Sequence, residues 1–442
     1  MKNINLKNIR ILAVLLFAIT LAFSCKEKDE WGDNFEQNSL TPIVEKVFLE
    51  DARSSIADRE VTFARLGQTI RLEGNNFLGV TKVYINGYEC SFNTTLMSNI
   101  SMIVQISSKV PTIDADADVR NTIRVEKGNK YYIHPFEIRS AAPSITGVSH
   151  TMPQAGDVII ITGSGLQEVS SVEFPGGIRA AEFSDSEDGT TVTVTVPDGI
   201  DKSGHITVVC ANGGAHSPAY FNFKEGLLHN FDDVQNYAWG SGIDNTALTA
   251  TVPATGNLPK SQGGYQVFNV DGNLAAAGVQ KFWLNSNNAM TIMGALSGLT
   301  PVNECAIQMD IYVEGEWNSG FIRFVMADGA GDTKYCKLYE PVYVGGAYNK
   351  AAFVNPNCWF TITLPLDNME VQDGVTIATL GDLIAQMSKA SYKQMGPHFV
   401  NDGIKDVFDA VAATQKIHFD NIRVVPLAAP AYSDFPDEEE AE

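Results

Sequence analysis

A pattern of alternating apolar and polar positions occurs twice in the chain and predicts its first elements. Residues 66–86 (LGQTIRLEGNNFLGVTKVYIN) and 155–175 (AGDVIIITGSGLQEVSSVEFP) align without a gap at a constant offset of 89. The shared positions are Gly67 and Gly156, Gly74 and Gly163, Phe77 and Leu166, and Val83 and Val172. Each copy follows a Pro-initiated strand and contains short alternating strands separated by glycine turns, which is typical of an Ig-like β-sandwich.

The repeat stops near residue 227, and a different pattern follows. Apolar residues alternate with polar ones over 279–285, 305–313, 320–327, 334–339 and 358–364, which predicts a larger sandwich of the jelly-roll type. Helical periodicity at 379–395, after an N-capping Thr379 with Asp382 three residues on, and at 402–413 predicts short helical insertions. The predicted fold class is therefore all-β, with two tandem Ig-like sandwiches before a larger jelly-roll-like one.

The N-terminus carries an export signal. Three cations, Lys2, Lys7 and Arg10, precede an apolar run over 11–23 that is shorter than the roughly 20 residues needed to span a bilayer. Ser24 and Cys25 follow directly, which resembles a bacterial lipobox, and a plain cleavable signal is the alternative. We expect a signal peptide over 1–24, lipid attachment at Cys25 and a polar linker over 25–40.

The remaining boundaries follow from the repeat and from charge. We expect Ig-like domains over 41–140 and 141–225, a carbohydrate-binding sandwich over 226–428 and an acidic tail over 429–442. The formal charge of -21 argues against nucleic acid as a partner, because a phosphate backbone requires a basic face.

Cysteine usage points to neither a metal ribbon nor a dithiol site. There is no CxxC pair, and the chain is long enough to fold without disulfides. Most of the cysteines after Cys25 are expected to be buried apolar residues. Any disulfide would have to come from Cys305, Cys336 and Cys358, and its pairing stays open.

Aromatic residues on the polar side of predicted strands indicate the chemistry of the last domain. Strand parity puts Trp283 with Lys281 and Asn285, and Trp359 with Thr361 and Thr363. Flat aromatic rings stack on the apolar face of a pyranose, while amides and carboxylates bind its hydroxyls. The candidate glycan-binding residues are Trp283, Trp317, Trp359, Tyr339, Tyr343, Asn285, Asp310 and Glu316. The alternative is that each Trp packs in the core.

Motifs for catalysis are missing from the sequence. Glu314 and Glu316 have the spacing of a carboxylate pair, but both lie in one predicted turn and no glycanase pattern surrounds them. There is no G-x-S-x-G, no H-E-x-x-H and no P-loop, so we expect no enzymatic activity and no cofactor. No metal site is expected, although Asp232, Asp233 and Asp420 are candidates for a structural calcium ion.

Two resemblances complete the interpretation. The G-x-x-x-x-[LI]-x-G-x-x-[FL] pattern resembles the IPT/TIG family of Ig-like domains over residues 41–225. The chain as a whole resembles the surface glycan-binding lipoproteins of Bacteroidetes polysaccharide utilisation loci. The segments that carry this resemblance are 231–233 (FDD), 312–317 (YVEGEW), 359–366 (WFTITLPL) and 419–423 (FDNIR).

The resemblance implies a non-catalytic protein that captures polysaccharide for uptake. It would be lipid-anchored in the outer membrane, face the extracellular side and bind a β-glucan or hemicellulose through a Trp/Tyr platform that includes Trp283 and Trp317. Its partner would be an outer-membrane glycan transporter, and the two Ig-like domains would be spacers. A surface adhesin that binds protein, and less readily a glycanase, are the alternatives; the identity of the glycan and any part the Ig-like domains play in binding stay open.

Overall fold

A computed structural model describes residues 40–51, 56, 58–233, 263–328, 335–371, 374–389, 393–403 and 409–435. The predicted signal peptide, Cys25, nearly all of the linker and the acidic tail from residue 436 lie outside these residues. The chain divides into two compact units, Met1–Ala141 and Ala142–Glu442. Across the described part of the chain, no helix is both long and apolar enough to cross a membrane.

The first unit is an Ig-like sandwich. Its sheets have the strand orders β1-β3-β6 and β5-β4-β7-β8, with a short parallel pair β2-β9. The strands are β1 (Ile43–Leu49), β2 (Phe63–Arg65), β3 (Thr69–Asn75), β4 (Lys82–Ile85), β5 (Tyr88–Cys90), β6 (Ser101–Gln105), β7 (Thr122–Lys127), β8 (Lys130–Pro135) and β9 (Glu137–Arg139). A single helical turn of the 3-10 type lies at Thr94–Leu96.

The second unit begins with another Ig-like sandwich, with sheets ordered β10-β11-β15-β14 and β13-β12-β16-β17. Its strands are β10 (Ser144–Val148), β11 (Val158–Ser164), β12 (Ser171–Phe174), β13 (Ile178–Arg179), β14 (Phe183–Asp185), β15 (Thr191–Thr195), β16 (Thr207–Cys210) and β17 (Gly213–His216). A 3-10 turn at Lys224–Gly226 leads into the last domain.

The two glycines of the repeat have different physical roles. Gly67 and Gly156 have φ angles of +83° and +87°, a left-handed conformation that favours glycine in a turn. Gly74 and Gly163 instead allow a close approach of strands, because a Cβ at either position would collide with a carbonyl oxygen of the neighbouring strand in the sheet. One sequence pattern therefore specifies a turn and a tight strand pair in both sandwiches.

The last domain is a sandwich of two antiparallel sheets. The first sheet has the order β18-β29-β22-β27, with β19 also paired to β29, and the second has the order β20-β28-β23-β24, with β21 also paired to β28. The strands are β18 (Leu227–His229), β19 (Gln266–Phe268), β20 (Gly278–Lys281), β21 (Leu284–Asn285), β22 (Cys305–Glu314), β23 (Phe321–Asp328), β24 (Tyr335–Tyr339), β25 (Tyr343–Val344), β26 (Ala347–Tyr348), β27 (Phe360–Pro365), β28 (Lys393–Asn401) and β29 (Lys416–Pro426). The predicted all-β fold class is confirmed.

Among the described residues of the last domain, helices form only short insertions. Residues 404–408 of the helix predicted over 402–413 lie outside the described residues, and 409–413 are not helical. Helix α1 (Ser286–Met293) was not predicted, whereas α2 (Leu380–Ser388) begins with the predicted capping box between Thr379 and Asp382. The prediction that this helix continues to Met395 is wrong, because Met395 lies in β28 with its side chain fully buried in the core. Two 3-10 turns lie at Val302–Glu304 and Lys350–Ala352.

The second Ig-like sandwich packs directly against the first sheet of the last domain. Ala306 and Val425, from the outer side of that sheet, belong to the buried apolar cluster of the Ig-like sandwich. A polar network lies beside them, in which Arg423 donates hydrogen bonds to Thr151 and Asp310. Apolar burial and buried hydrogen bonds therefore join these two domains within the second unit.

Candidate functional site

The eight predicted glycan-binding residues do not form one platform. Trp283 and Asn285 lie on the second sheet of the last domain, Trp359 and Asp310 lie on the first, and Trp317 lies between the two sheets. Burial and hydrogen bonding distinguish the residues that can meet a ligand from those that hold the fold.

The assignment of Trp317 to a binding platform is wrong. Its side chain is 1% exposed, and its indole Nε1 donates a hydrogen bond of 2.8 Å to the carbonyl oxygen of Gly320. The rings of Tyr339 and Phe353 pack against it edge to face, with centroids 5.9 and 5.4 Å away. The turn after β22 folds the indole back between the sheets, so Trp317 is a core residue.

The two predicted tyrosines also pack against this core. Tyr339 shares the core side of its strand with Lys337, since their cross-strand partners Ile322 and Phe324 are buried between the sheets. Burial raises the pKa of both Tyr339 and Tyr343 to about 12. The prediction that Tyr339 lies on the outward side of β24 is therefore wrong.

Asp310 is a structural residue and not a sugar ligand. It is 1% exposed and pairs with the fully buried Arg423, whose Nη2 lies 2.9 Å from its Oδ1. Burial alone would raise its pKa, but the Arg423 guanidinium and the nearby His150 hold the pKa of Asp310 well below its usual range. Strand alternation correctly predicted that Asp310 points away from the core of its own domain, but the neighbouring Ig-like sandwich covers that part of the sheet.

Trp359 lies in an aromatic cluster on the same outer side of the first sheet. The cluster consists of Tyr265, Tyr312, Trp359 and His418, with neighbouring ring centroids 5.4 to 6.1 Å apart. Trp359 is 8% exposed, and Tyr265 and His418 are each 4% exposed. Three of these four ring pairs meet edge to face and the pair of Tyr312 and Trp359 is tilted, so the rings cover one another.

The other predicted polar sites are scattered. Glu316 is exposed and pairs with Lys350 at 3.1 Å, whereas Glu314 pairs with Lys416 and His418, each at 3.3 Å. The two glutamates are therefore held by different partners. Among the described residues no group of three His, Cys, Asp or Glu side chains could hold a metal ion, so Asp232, Asp233 and Asp420 do not form a calcium site there.

The cysteines for which the structure gives a state are free thiols. Cys90, Cys210 and Cys305 are buried, and Cys358 is exposed. Burial raises the pKa of the Cys305 thiol to about 11. A disulfide between Cys305 and Cys358 is absent, and the side chain of Cys336 lies outside the described residues.

The outer side of the second sheet brings a different set of residues together. Antiparallel register aligns Lys281 on β20, His398 on β28, Arg323 on β23 and Leu338 on β24 in one row across the sheet. Trp283 lies beside this row, with its ring perpendicular to that of His398 and the centroids 4.2 Å apart. We call these five residues the Trp283 face.

Local sequence explains why Trp283 points away from the core of its domain. Phe282 and Leu284 alternate with Trp283 and are fully buried between the sheets, so Trp283 must point outward. Gly396 has a φ angle of +152°, and no side chain fits at this position, because a Cβ there would collide with the carbonyl oxygen of Phe282. Asn285 continues the same side of the sheet as a half-buried amide.

Two polar atoms of the Trp283 face have no hydrogen-bond partner among the residues that the structure describes. They are Nε of Arg323 and Nε2 of His398, both buried. Burial, together with the positive charges of Lys281 and Arg323, lowers the pKa of His398 to about 3, so its imidazole is neutral near pH 7. An unsatisfied buried donor or acceptor costs about 1–3 kcal/mol, and a bound water, ion or ligand is one way in which native proteins satisfy such a group.

Strand parity correctly predicted that Trp283 and Asn285 lie on the outer side of the sheet, but it gave no indication of Arg323 and His398. Both occur in apolar strands, FIRFVMAD and KQMGPHFVN, where each is an ionisable residue at an outward position. An ionisable residue at an outward position of an apolar strand could therefore have indicated these two residues from the sequence. The cross-strand register that places them side by side was not available from the sequence.

The fold and this face together define a class of protein: a multidomain β-sandwich protein with an aromatic and polar face on its last domain. Residues 221–426 match the family model described as the surface glycan-binding protein B xyloglucan binding domain. This match confirms the predicted resemblance to surface glycan-binding proteins over the last domain.

Individual relatives agree with the family match. An IPT/TIG domain-containing protein of Bacteroides ovatus is 22% identical over 372 residues, which are 81% of this chain and 69% of the relative. Its name carries the Ig-like family that the glycine pattern predicted. The crystal structure of the surface glycan-binding protein PbSGBP-B from Prevotella bryantii has a TM-score of 0.60 at 19% identity, over 88% of this chain and all of that one. A surface glycan-binding protein B from Bacteroides uniformis has a TM-score of 0.48 at 19% identity, with the same coverage.

Proposed function

We propose that this protein binds a neutral β-glucan or hemicellulose, with xyloglucan as the first choice, on the Trp283 face at the cell surface. The observation that carries the proposal is the position of Trp283 beside two buried polar atoms, on Arg323 and His398, that have no partner in the described part of the chain. The family name supplies xyloglucan as the ligand to test first.

The chemistry of the face suits a sugar. The flat face of an indole ring stacks on the C–H groups of a pyranose, and a half-buried guanidinium donates to its hydroxyls. The neutral His398 imidazole can accept a hydrogen bond from a hydroxyl or donate one to it, depending on its tautomer. Since Trp283 is 6% exposed, binding requires a change of side-chain rotamer at the face, which is common when complexes form.

Paired tryptophan variants of the full chain test this assignment. Trp283→Ala should weaken binding to xyloglucan by about 2 kcal/mol, or roughly 30-fold, as measured by affinity gel electrophoresis. Trp359→Ala is the matched control, because Trp359 has similar burial on the other sheet. Arg323→Met should weaken binding too, with a melting temperature near that of the unmodified chain.

The opposite result for the two tryptophan variants would assign the glycan site to a different surface. If Trp359→Ala lost binding while Trp283→Ala kept it, the aromatic cluster of the first sheet would be the glycan site. If the unmodified chain retarded no β-glucan or hemicellulose in the gel, the proposed ligand class would be wrong.

We further propose that the protein binds glycan without cleaving it. Glu314 and Glu316, the carboxylates with the spacing of a catalytic pair, are each held by separate cations. A retaining or inverting glycosidase needs two carboxyl groups about 5–10 Å apart across the scissile bond. Incubation with xyloglucan should therefore release no new reducing ends, and their release would contradict the proposal.

The family match supports a position at the cell surface, and we propose that a lipid on Cys25 holds the chain in the outer membrane, facing outward beside a glycan transporter. Three acyl chains on one cysteine anchor a protein far more firmly than one, at about 0.8 kcal/mol per buried methylene. Cys25→Ala should release the protein from outer-membrane fractions. A variant that still sediments with them would contradict the anchor.

A further inference from the structure

A second concave surface lies within the second unit, between the second Ig-like sandwich and the last domain. It is a cleft of about 530 Å³, with Thr146 of β10 on one side and Thr363 of β27 on the other. Both strands are at the edges of their sheets. We call this the junction cleft.

The two edge strands meet at one end of the cleft and separate along it. The Thr361 N–H donates a hydrogen bond of 2.8 Å to the carbonyl oxygen of Ser149. Because antiparallel strand residues alternate in the direction of their hydrogen bonds, the backbone N–H and C=O of Thr363 also point away from β22 and toward the cleft. These groups add a donor and an acceptor to its wall.

The side chains in the cleft have the character of a site for a neutral sugar. None of the residues that line it is charged. Half-buried rings of Tyr339 and Phe360 provide apolar surface, and the hydroxyls of Thr146 and Thr363 provide hydrogen-bonding groups. Such a lining disfavours a charged ligand, and the volume suits a short oligosaccharide.

The junction cleft is next to the Trp283 face. Strand β24 is the edge of the second sheet, and its consecutive residues Leu338 and Tyr339 lie on opposite sides of the strand. Leu338 belongs to the Trp283 face, whereas Tyr339 lines the cleft. A polysaccharide chain that leaves the face across β24 therefore reaches the cleft.

We propose that the junction cleft is a second binding site for neutral glycan, formed jointly by the second Ig-like sandwich and the last domain. The inference rests on the proposed function, because the same polymer supplies the ligand at both sites. It gives the second Ig-like sandwich a part in binding in place of a spacer role. A chain that occupies both sites gains affinity by effective concentration, while a short oligosaccharide does not.

Calorimetry on the full chain with xyloglucan oligosaccharides tests the inference. The unmodified chain should bind with a stoichiometry near two, and Thr146→Trp, which fills the cleft, should bind with a stoichiometry near one. Ser184→Trp is the matched control, because Ser184 is exposed on β14, the opposite edge strand of the same sheet. Tyr339→Phe, which keeps the ring packed on Trp317, should weaken the second site without affecting the fold.

Polysaccharide provides a second measurement. Thr146→Trp should lose about tenfold or more in affinity for long xyloglucan while the Trp283 face still binds oligosaccharide. A stoichiometry of one that Arg323→Met removes and Thr146→Trp leaves unchanged would overturn the second site while the proposed function stands. This outcome is also expected if the cleft accepts an extended peptide between β10 and β27 in place of a glycan, and it would overturn the second glycan site in that case too. If the unmodified chain bound no xyloglucan at all, the proposed function itself would be overturned.

Discussion

Arg423 of the last domain donates a 2.6 Å hydrogen bond to the hydroxyl of Thr151 in the second Ig-like sandwich. The Arg423 side chain is fully buried, and the carboxylate of Asp310 compensates its charge. Two domains that the sequence presents as separate are therefore joined through a buried ion pair, which places geometric limits on how they can be oriented.

Removal of one member of this pair should be strongly destabilising. Asp310→Ala leaves the Arg423 guanidinium buried without its counter-charge, and we expect a loss of about 3–5 kcal/mol in the free energy of unfolding. Urea denaturation of the full chain measures it. Glu316→Ala removes an ion pair that is exposed to solvent and should cost less than about 1 kcal/mol. Equal effects of the two variants would contradict the structural role of Asp310.

The last domain should also depend on its neighbour for stability. A fragment of residues 226–435 exposes Ala306 and Val425, which are fully buried in the intact second unit, together with the Arg423 network. We expect this fragment to melt at a lower temperature than a fragment of residues 142–435, since apolar area and buried hydrogen bonds are lost. If the last domain melted at the same temperature in both fragments, the contact between the two domains would contribute nothing to its stability.

Stability should fall as the pH is lowered from 6.5. Burial lowers the pKa of His398 and of His229 to about 3, from an ordinary value of 6.5. Between these values the unfolded chain binds a proton at each histidine that the folded chain does not bind, so acid favours unfolding. Each such histidine contributes a slope of about 1.4 kcal/mol per pH unit.

The variant His398→Gln isolates one of these contributions. Between pH 7 and pH 5 the unmodified chain should lose about 2 kcal/mol more stability than the variant, which has no imidazole to protonate at this position. Urea unfolding at the two pH values measures both losses. Parallel losses in the two proteins would show that His398 is accessible to protons in the folded state.

Strand alternation predicted much of this fold because side chains alternate between a core and an outer side whatever the tertiary context. It placed Phe282 and Leu284 inside and Trp283 outside, as the structure has them. The paired glycines of the repeat were equally informative, because a left-handed turn and a close strand contact each exclude a Cβ.

The candidate site was less predictable because outward is not the same as exposed. Asp310 points away from its own core, but another domain covers it. Trp317 lies in a glycine-bounded turn, where alternation does not apply, and it folds inward to reach the carbonyl of Gly320. Arg323 and His398 come together through the register of β23 and β28, which depends on the pairing of distant segments.

The two tryptophans that the sequence placed in one platform should therefore behave in opposite ways. Trp317→Ala empties a buried site, since the indole is 1% exposed and packs against Tyr339 and Phe353. We expect a loss of about 3–5 kcal/mol in the free energy of unfolding, from lost transfer free energy and from the cavity. Trp317→Phe keeps part of the volume but removes the hydrogen bond to Gly320, and should cost less.

Comparison with Trp283→Ala distinguishes a tryptophan of the core from a tryptophan of the Trp283 face. The outward position of Trp283 beside His398 predicts a loss of glycan binding by the chains that remain folded, whereas Trp317→Phe should keep binding as long as the chain remains folded. Melting temperature and affinity-gel retardation, measured for all three variants under the same conditions, decide the matter. If Trp317→Phe lost binding at an unchanged melting temperature, Trp317 would be a ligand contact and its burial between the sheets would not describe the binding state.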